Sequence, residues 1–404
     1  EVLMPLSGGD RTREAGIVIS GAGSVGAALA LGLARAGFGV TLVESRKKGI
    51  PVRDRRRFVL SELSAQWLGR IGVWNALSAG VQPIHSVRVD EPGCAPVDFE
   101  AREIDLPTLG YAVDAGTLAQ AFEHAVRSEP RIQFLEGARI RRLDGSRPGQ
   151  SVDIAPDTGS LLTLEARLVV VAEGQLSSLL ETRGFNIRSR DSGLSALVIP
   201  LNKGLSGVIP DRVIERLGPE GLLALLPGPS GEATLTWTLR KDRADDFLLQ
   251  PPFRQRLEVA RMLGWSPGGL DWDEEPIRFD LIRHAVEPPY QAGILVIGQA
   301  AHRIAPFAAQ GMNLAWRDAR SLVAELVRAE EAKIDFGSIE WLQGYWRGRR
   351  ADHRRVRHFT EQLPRLFESR DPLARWMRRS GWRMVRMAPS VRRTILRFGL
   401  GWRL

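Results

Sequence analysis

Cysteine is almost missing: Cys94 stands alone in 404 residues. A single thiol closes no internal disulfide and has no companions for a zinc or iron–sulfur site, so Cys94 is expected to be inert. Long apolar runs are missing as well. The opening stretch, EVLMPLSGGDRTREAG, lacks the apolar core of a secretory signal, and no later run approaches the roughly 18 uncharged residues of a membrane span. A cytoplasmic chain is expected. The histidines, at 85, 124, 284, 302, 353 and 358, form no H-x-x-x-H pair and have no acid at ligand spacing, so no metal centre is expected. G-x-S-x-G is absent, which excludes acyl transfer from a serine elbow. There is no internal repeat and no low-complexity tract.

What is present is mostly ordinary. With 44% hydrophobic and 25% charged residues, the chain has the composition of a packed globular protein, and its length predicts two or three domains. The charge is less even. From Trp341 onward there are 17 arginines and 4 acidic residues, so this stretch carries more than the whole chain's +9 and leaves the rest net negative. Such a block points to an anionic partner, either membrane surface or nucleic acid, or to the solvated faces of terminal helices. No recognition motif accompanies it, so nucleic acid is not expected.

The clearest signal is GIVISGAGSVGAALALGLARAGFGVTLVES, from Gly16. A short β-branched run predicts a buried parallel strand. Gly21, Gly23 and Gly26 follow as G-x-G-x-x-G: the first permits a tight turn, the second lets backbone approach a pyrophosphate, and the third lets a helix pack on the strand. Gly37 ends that helix, FGVTLVE forms a second strand, and Glu44 stands where a carboxylate accepts the ribose hydroxyls of an adenosine. A dinucleotide is therefore expected, with FAD and NAD undistinguished by this motif alone.

Further along, RKKGIPVRDRRRFVLSELSAQWLGRIGVWNAL reads as a basic loop and an amphipathic helix, and TLAQAFEHAV from Thr117 as another helix. Between Ser192 and Arg278, ALVIPL, LLALLP and ATLTWTL alternate with Gly and Pro, which predicts an antiparallel sheet inserted into the nucleotide-binding domain. Two apolar strands bracket the insertion. One runs through Val169 to Val171 into Ala172-Glu173-Gly174; the other runs through Ile294 to Ile297 into Gly298 and the loop GQAAHRIAPFAAQGMN.

Together, GAGSVG, VVVAEG and GQAAH…PFAAQGMNLAWRDA resemble the class A FAD-dependent aromatic hydroxylases, and within them the 2-octaprenyl-6-methoxyphenol hydroxylase family of ubiquinone biosynthesis. The likeness extends through DRRRFVLS, LGYAV, ERLGPEGLLALLP and the arginine-rich tail. It implies an α/β fold with an α+β insert. A Rossmann-type FAD-binding domain is expected over 15–82, 111–190 and 281–337, an antiparallel-sheet substrate domain over 83–110 and 191–280, and a basic helical region over 338–404.

The resemblance also implies chemistry. FAD would be reduced by NADPH or NADH and react with O2 to a C4a-hydroperoxide, which transfers oxygen to a phenol ring, here a prenylated one. Gly298, Gln299, Gly311, Met312 and Asn313 would contact the flavin, with the helix N-terminus favouring negative charge on the reduced ring. Pro306, Phe307 and the residues up to Gln310 would edge its oxygen-reactive carbon. Gln299 stands where most relatives carry an aspartate; it retains an acceptor and avoids a charge beside two phosphates. Glu173 likewise replaces an aspartate. Arg56 and Gln120 match flavin-contacting positions, and Gly116 falls near where some relatives carry arginine.

Two histidines have competing readings. His284 either faces the substrate and deprotonates a phenol or is a satisfied structural donor, and His302 is expected to pack and hold the loop. In the tail, Leu373, Trp376, Met377, Met384 and Val385 lie on one face of a predicted helix, with Arg375, Arg378, Arg379, Arg383 and Arg386 around the rest. That pattern suits a membrane interface, peripheral on its inner face, or a cap on the protein's own core. A homo-oligomer or a biosynthetic complex would be a further partner. Two other functions stay open: hydroxylation of a soluble phenol or polyketide, and a non-catalytic scaffold.

Overall fold

A computed structural model describes residues 12–47, 54, 56–146, 149–174, 177–202, 209–266, 270–304, 309–369 and 371–401. The first strand, Thr12–Ser20, is the centre of a sheet because Ile17, Val18 and Ile19 are wholly buried, apolar on both faces as a parallel strand requires. It pairs in parallel with Val40–Glu44 on one side and Leu162–Val171 on the other. Ile132–Glu136 and Ile294–Val296 extend the sheet in parallel at either side, and Tyr290–Gln291 closes one edge antiparallel. The helix Ser24–Arg35 covers it, with Ala27, Ala28 and Ala30 short enough for close packing and Leu29, Leu31 and Leu33 filling the core. Gly37 takes the left-handed conformation (φ 98°) that stops this helix.

The inserted sheet is present. Its strands run in the order His302–Arg303, Ile277–Val286, Ile187–Leu201, Ala233–Arg240, Gly221–Pro227, Arg212–Gly218, Ser86–Asp90 and Val97–Glu100. All pair antiparallel except Arg212–Gly218 with Ser86–Asp90. Boundaries expected at 190/191 and 280/281 fall inside single strands: Ile187–Leu201 and Ile277–Val286 pair from Ile187↔Val286 to Val198↔Ile277. Both strands belong wholly to the substrate sheet, and their paired ends at Ile187 and Val286 pack against the core of the nucleotide-binding sheet. A third, three-stranded sheet joins Arg57–Ser61, Gly110–Asp114 and Val81–Ile84.

Beyond the helix Gln310–Glu331 come Ile339–Glu368, Pro372–Met387 and Pro389–Gly399. The last two pack on the substrate sheet through one face. Leu396 and Leu400 join Val97, Phe99 and Ile104, and burying each such leucine stabilises by roughly 1.5–3 kcal/mol. Buried Arg378 pairs with Glu91 at 2.7 Å, and Trp382 Nε1 donates to the Ala95 carbonyl at 2.7 Å. Val385, expected on one face with Leu373, Trp376, Met377 and Met384, packs in this inner cluster. The other face holds Leu373, Trp376, Met377, Met384 and Met387, each more than half exposed. Among the described residues no helix is long and apolar enough to cross a membrane.

Candidate active site

The glycine turn is shaped by close approach. A Cβ on Gly21 would lie 2.7 Å from the Ala172 carbonyl oxygen, and one on Gly26 would lie 1.9 Å from the Gly21 carbonyl oxygen. Gly23 differs: nothing stands within 4 Å of the place a Cβ would take. The helix that follows has no side-chain cap, so its first N–H groups face open space with the positive end of the helix dipole. Glu44 accepts from the Ala22 and Arg46 amides at 3.0 and 2.8 Å, and the wall beyond it is Arg46 and Lys47.

A second helix N-terminus converges on the first. Ser24 Oγ donates to Met312 Sδ at 3.6 Å, and Trp316 Nε1 to the Ser24 carbonyl at 2.9 Å, so the starts of Ser24–Arg35 and Gln310–Glu331 lie side by side. The latter also lacks a side-chain cap, entering from Ala309 at φ 51°. Asn313, 3% exposed, turns its side chain inward: Oδ1 accepts from Ser61 N at 3.0 Å and Ser64 Oγ at 2.7 Å, while Nδ2 donates to the carbonyls of Val59 and Ala309 at 2.9 and 2.8 Å. Gly298 is buried at φ 64°, where a Cβ would press on Val25. Pro306 and Phe307 lie outside the described residues.

Both helix starts open on one cavity of about 920 Å³. Gly23, Arg56, Glu173, Gln299, Gly311, Met312 and Asn313 line it; Gly21, Gly26 and Gly298 stand behind the wall. Arg56 is fixed there by Asp54 (2.6 Å) and lies over the rings of Phe58 and Phe279, each 5.3 Å away. Glu173 accepts from Ser20 Oγ at 2.5 Å. Gln120 does not reach the cavity. It is exposed on the helix Ala115–Arg127, whose turn presents Ala119, Phe122 and Glu123 to the cavity instead. Gly116 does not line it either. His284 is also outside: 5% exposed, it contacts the Gln299 carbonyl through Nε2 at 2.5 Å, and burial lowers its basicity. Its contact is with the loop backbone, the structural alternative raised by the sequence.

The donor set suits a dinucleotide: two uncapped helix starts and an open Gly23, with cationic Arg46 and Lys47 alongside. Comparison with known proteins agrees. A family model described as FAD binding domain matches residues 14–360. The chain belongs to this FAD binding domain family. The ubiquinone hydroxylase UbiL of Rhodospirillum rubrum is 28% identical over 97% of this chain and 91% of its own length. The 3-demethoxyubiquinol 3-hydroxylase of Escherichia coli is 28% identical over 95% of this chain and 98% of its own. Among solved structures, p-nitrophenol 4-monooxygenase PnpA from Pseudomonas putida superposes with a TM-score of 0.80 at 17% identity, covering 97% and 99% of the two chains. The expected FAD-dependent hydroxylase family and α/β architecture are thereby borne out, and FAD is the cofactor.

This flavoprotein also gathers groups that sequence spacing kept apart. His302, Asp318 and His353 bring their ligand-type atoms within 4.8 Å of one another, although no two are at metal-ligand spacing in the chain. The carboxylate is already engaged: Arg349 Nε donates to Asp318 at 2.6 Å and His353 Nε2 contacts both its oxygens at 2.9 Å. Arg349 in turn meets Asp352 at 2.7 Å, and Arg317 meets Asp352 at 3.0 Å. Burial pushes Asp318 up, but His353 and Arg349 more than reverse this and hold it below the usual carboxylate range. His302 keeps some surface, yet both ring nitrogens are buried without partners, and burial with the nearby His353 pushes it down to about 3. The set clamps the flavin loop to the two following helices.

Proposed function

We propose that the chain is an FAD-dependent monooxygenase that uses NAD(P)H and O2 to hydroxylate a phenol bearing a hydrocarbon chain, a ubiquinone precursor. One observation carries this reading. The cavity starts between the two helix N-termini and continues along an apolar floor and roof, from Val198 and Leu226 to Trp382 and Met377. A small polar head beside the cofactor and a long greasy remainder match such a shape better than a soluble phenol does. The names of the curated relatives point to the same substrate class.

When bound, FAD supplies the redox chemistry and the activation of oxygen. The chain's own residues bind and orient it. Gly21, Gly23 and Gly26 admit the pyrophosphate to the helix start, Glu44 serves the ribose, and Arg56, Glu173, Gln299 and the amides of Gly311 and Met312 bound the rest. Asn313 and His284 hold the loop rather than the reacting atoms, and the apolar walls exclude water. Substrate would rest on the sheet containing Ile187–Leu201, whose Ala196 and Val198 line the same cavity as the two helix starts. The exposed Leu373, Trp376 and Met384 beside Arg379, Arg383 and Arg386 would rest on an anionic membrane surface, bringing the cavity to a lipid-borne phenol.

Purified protein tests this directly. It should be yellow, and its NADPH or NADH oxidation should rise with a short-chain prenylphenol and yield hydroxylated product. Stimulation by soluble phenols alone would move the substrate elsewhere, and a colourless protein that refuses FAD would mark a scaffold.

A further inference from the structure

The substrate sheet presents one register-matched row to the cavity. Val198 pairs with Thr236, Thr236 with Ala224, Ala224 with Glu215, and Glu215 with Val89. All of them line the cavity. Strands stand about 4.8 Å apart, so Thr236 and Glu215 flank the small Ala224 at a separation of roughly 10 Å, wide enough to seat a single aromatic ring between them. The surroundings are apolar: Val87, Leu217, Leu222 and Phe367 share this part of the wall.

Glu215 is anomalous there. Glu215 is half-buried, its carboxyl facing the cavity, whereas other carboxylates near the cavity have partners, as Glu91 has Arg378, Glu173 has Ser20 and Asp54 has Arg56. Glu215 makes no hydrogen bond and no ion pair among the described residues. Its neighbours Arg212 and Arg216 point to the opposite sheet face by strand alternation, Arg212 meeting Ser86 and Arg216 meeting Asp90. Besides Arg46, Lys47, Glu123, Glu136 and Glu173 around the nucleotide cradle, the charged groups lining the cavity from other elements are Arg303 of the flavin loop, Arg378 of a C-terminal helix, and Arg56, Asp54 and Arg57 of the amino-terminal part. None of them enters the balance at Glu215, where burial alone raises the carboxyl to about 7. An unpartnered carboxyl of this kind costs stability and persists where a ligand completes it.

We propose that Glu215 binds the phenolic hydroxyl of the substrate and accepts its proton, with the ring lying over Ala224. The inference rests on the proposed hydroxylase function and assigns the base for it. The phenol O–H bond breaks, its electron pair stays on oxygen, and the proton passes to the Glu215 carboxylate. The phenolate feeds electron density into the ring and so activates the carbon that is hydroxylated. The proton returns to solvent or product after the ring rearomatises. A group poised near neutrality is suited to this exchange, and such catalysis contributes typically 10²–10⁴-fold.

The test uses the FAD-loaded full chain with a short-chain prenylphenol and with its O-methyl ether. Turnover of the phenol by the parent is the control for the hydroxylase reading; without it that reading falls, and this inference with it. Given turnover, Glu215→Gln should lower kcat/KM for hydroxylation at least 100-fold and abolish the limb of the pH profile that rises through about 7, while Glu215→Asp recovers part of both. Gln retains the shape of Glu, and an intact FAD spectrum with unchanged far-UV circular dichroism establishes folding. The methyl ether, which has no proton to give, should bind parent and Glu215→Gln within about threefold. Parent-like kcat/KM and pH profile in Glu215→Gln would overturn the assignment and leave the hydroxylase reading standing.

Discussion

Replacing Asn313 by alanine removes four hydrogen bonds at once, to Ser61 N, Ser64 Oγ and the carbonyls of Val59 and Ala309. An ordinary bond contributes about 1 kcal/mol, and leaving a buried partner unsatisfied costs roughly 1–3 kcal/mol. The site is 3% exposed, so water does not readily replace the lost amide. The expected loss is about 3–6 kcal/mol, a large part of the 5–15 kcal/mol by which domains are typically stable. Asn313→Asp separates hydrogen bonding from volume: it preserves the two acceptor bonds but turns a carboxylate toward two carbonyl oxygens, so it should be no better than alanine. Urea unfolding of the FAD-free protein measures the stability, and titration with FAD measures the cradle. Both variants should weaken FAD binding tenfold or more, because the amides of Gly311 and Met312 move with this clamp. A stability loss below 1 kcal/mol with parent-like FAD affinity would refute the role given to Asn313.

The glycine turn should discriminate between folding and binding. Gly26→Ala places a methyl 1.9 Å from the Gly21 carbonyl oxygen and should cost both stability and FAD, whereas Gly23→Ala meets nothing and should fold like the parent yet bind FAD at least tenfold more weakly; parent-like FAD affinity in Gly23→Ala would contradict the cradle. For pH, His302 stays neutral in the fold down to about 3, whereas unfolded imidazole takes its proton near 6.5. Its stability contribution is therefore complete above 6.5 and declines as pH falls, by up to about 1.4 kcal/mol per pH unit. Urea unfolding at pH 7 and pH 5 should show His302→Phe losing less stability on acidification than the parent, and identical losses would rule out that buried ring as the cause. At the surface, Trp376→Glu combined with Met384→Glu should reduce cosedimentation with phosphatidylglycerol vesicles several-fold without altering the urea midpoint, since both side chains are more than half exposed; unchanged cosedimentation would remove the membrane face.

The parts legible in sequence were those set by local spacing. Gly21, Gly23 and Gly26 shape a turn within six residues, and the strand that ends at Ser20 needs only its own apolar run. Facing across elements was harder to read. Gln120 and Ala119 differ by one position, yet about 100° of helix rotation decides which meets the cavity, and it is Ala119. His284 lies on a strand whose pairing with Arg303 turns its ring to the Gln299 backbone, a register no local pattern specifies. Asn313 looked like a cofactor contact because of its place at a helix start, but three of its four bonds reach residues more than 240 positions away. Glu215 sits in a stretch that stood out only as a family likeness, and its significance depends on what the opposite wall lacks. His302, Asp318 and His353 met for a similar reason: three elements converge where the chain shows only distance.

Gln310 Nε2 donates to the Gly399 carbonyl at 2.9 Å, a bond that joins two residues made far apart in time. Every element of the nucleotide cradle has left the ribosome once Met312 emerges, but Gly399 and Leu400, which also wall the cavity, come much later. Translation at about 5–20 residues per second leaves that interval open for several seconds. The part of the cavity wall that Gly399 and Leu400 supply is therefore the last to be added.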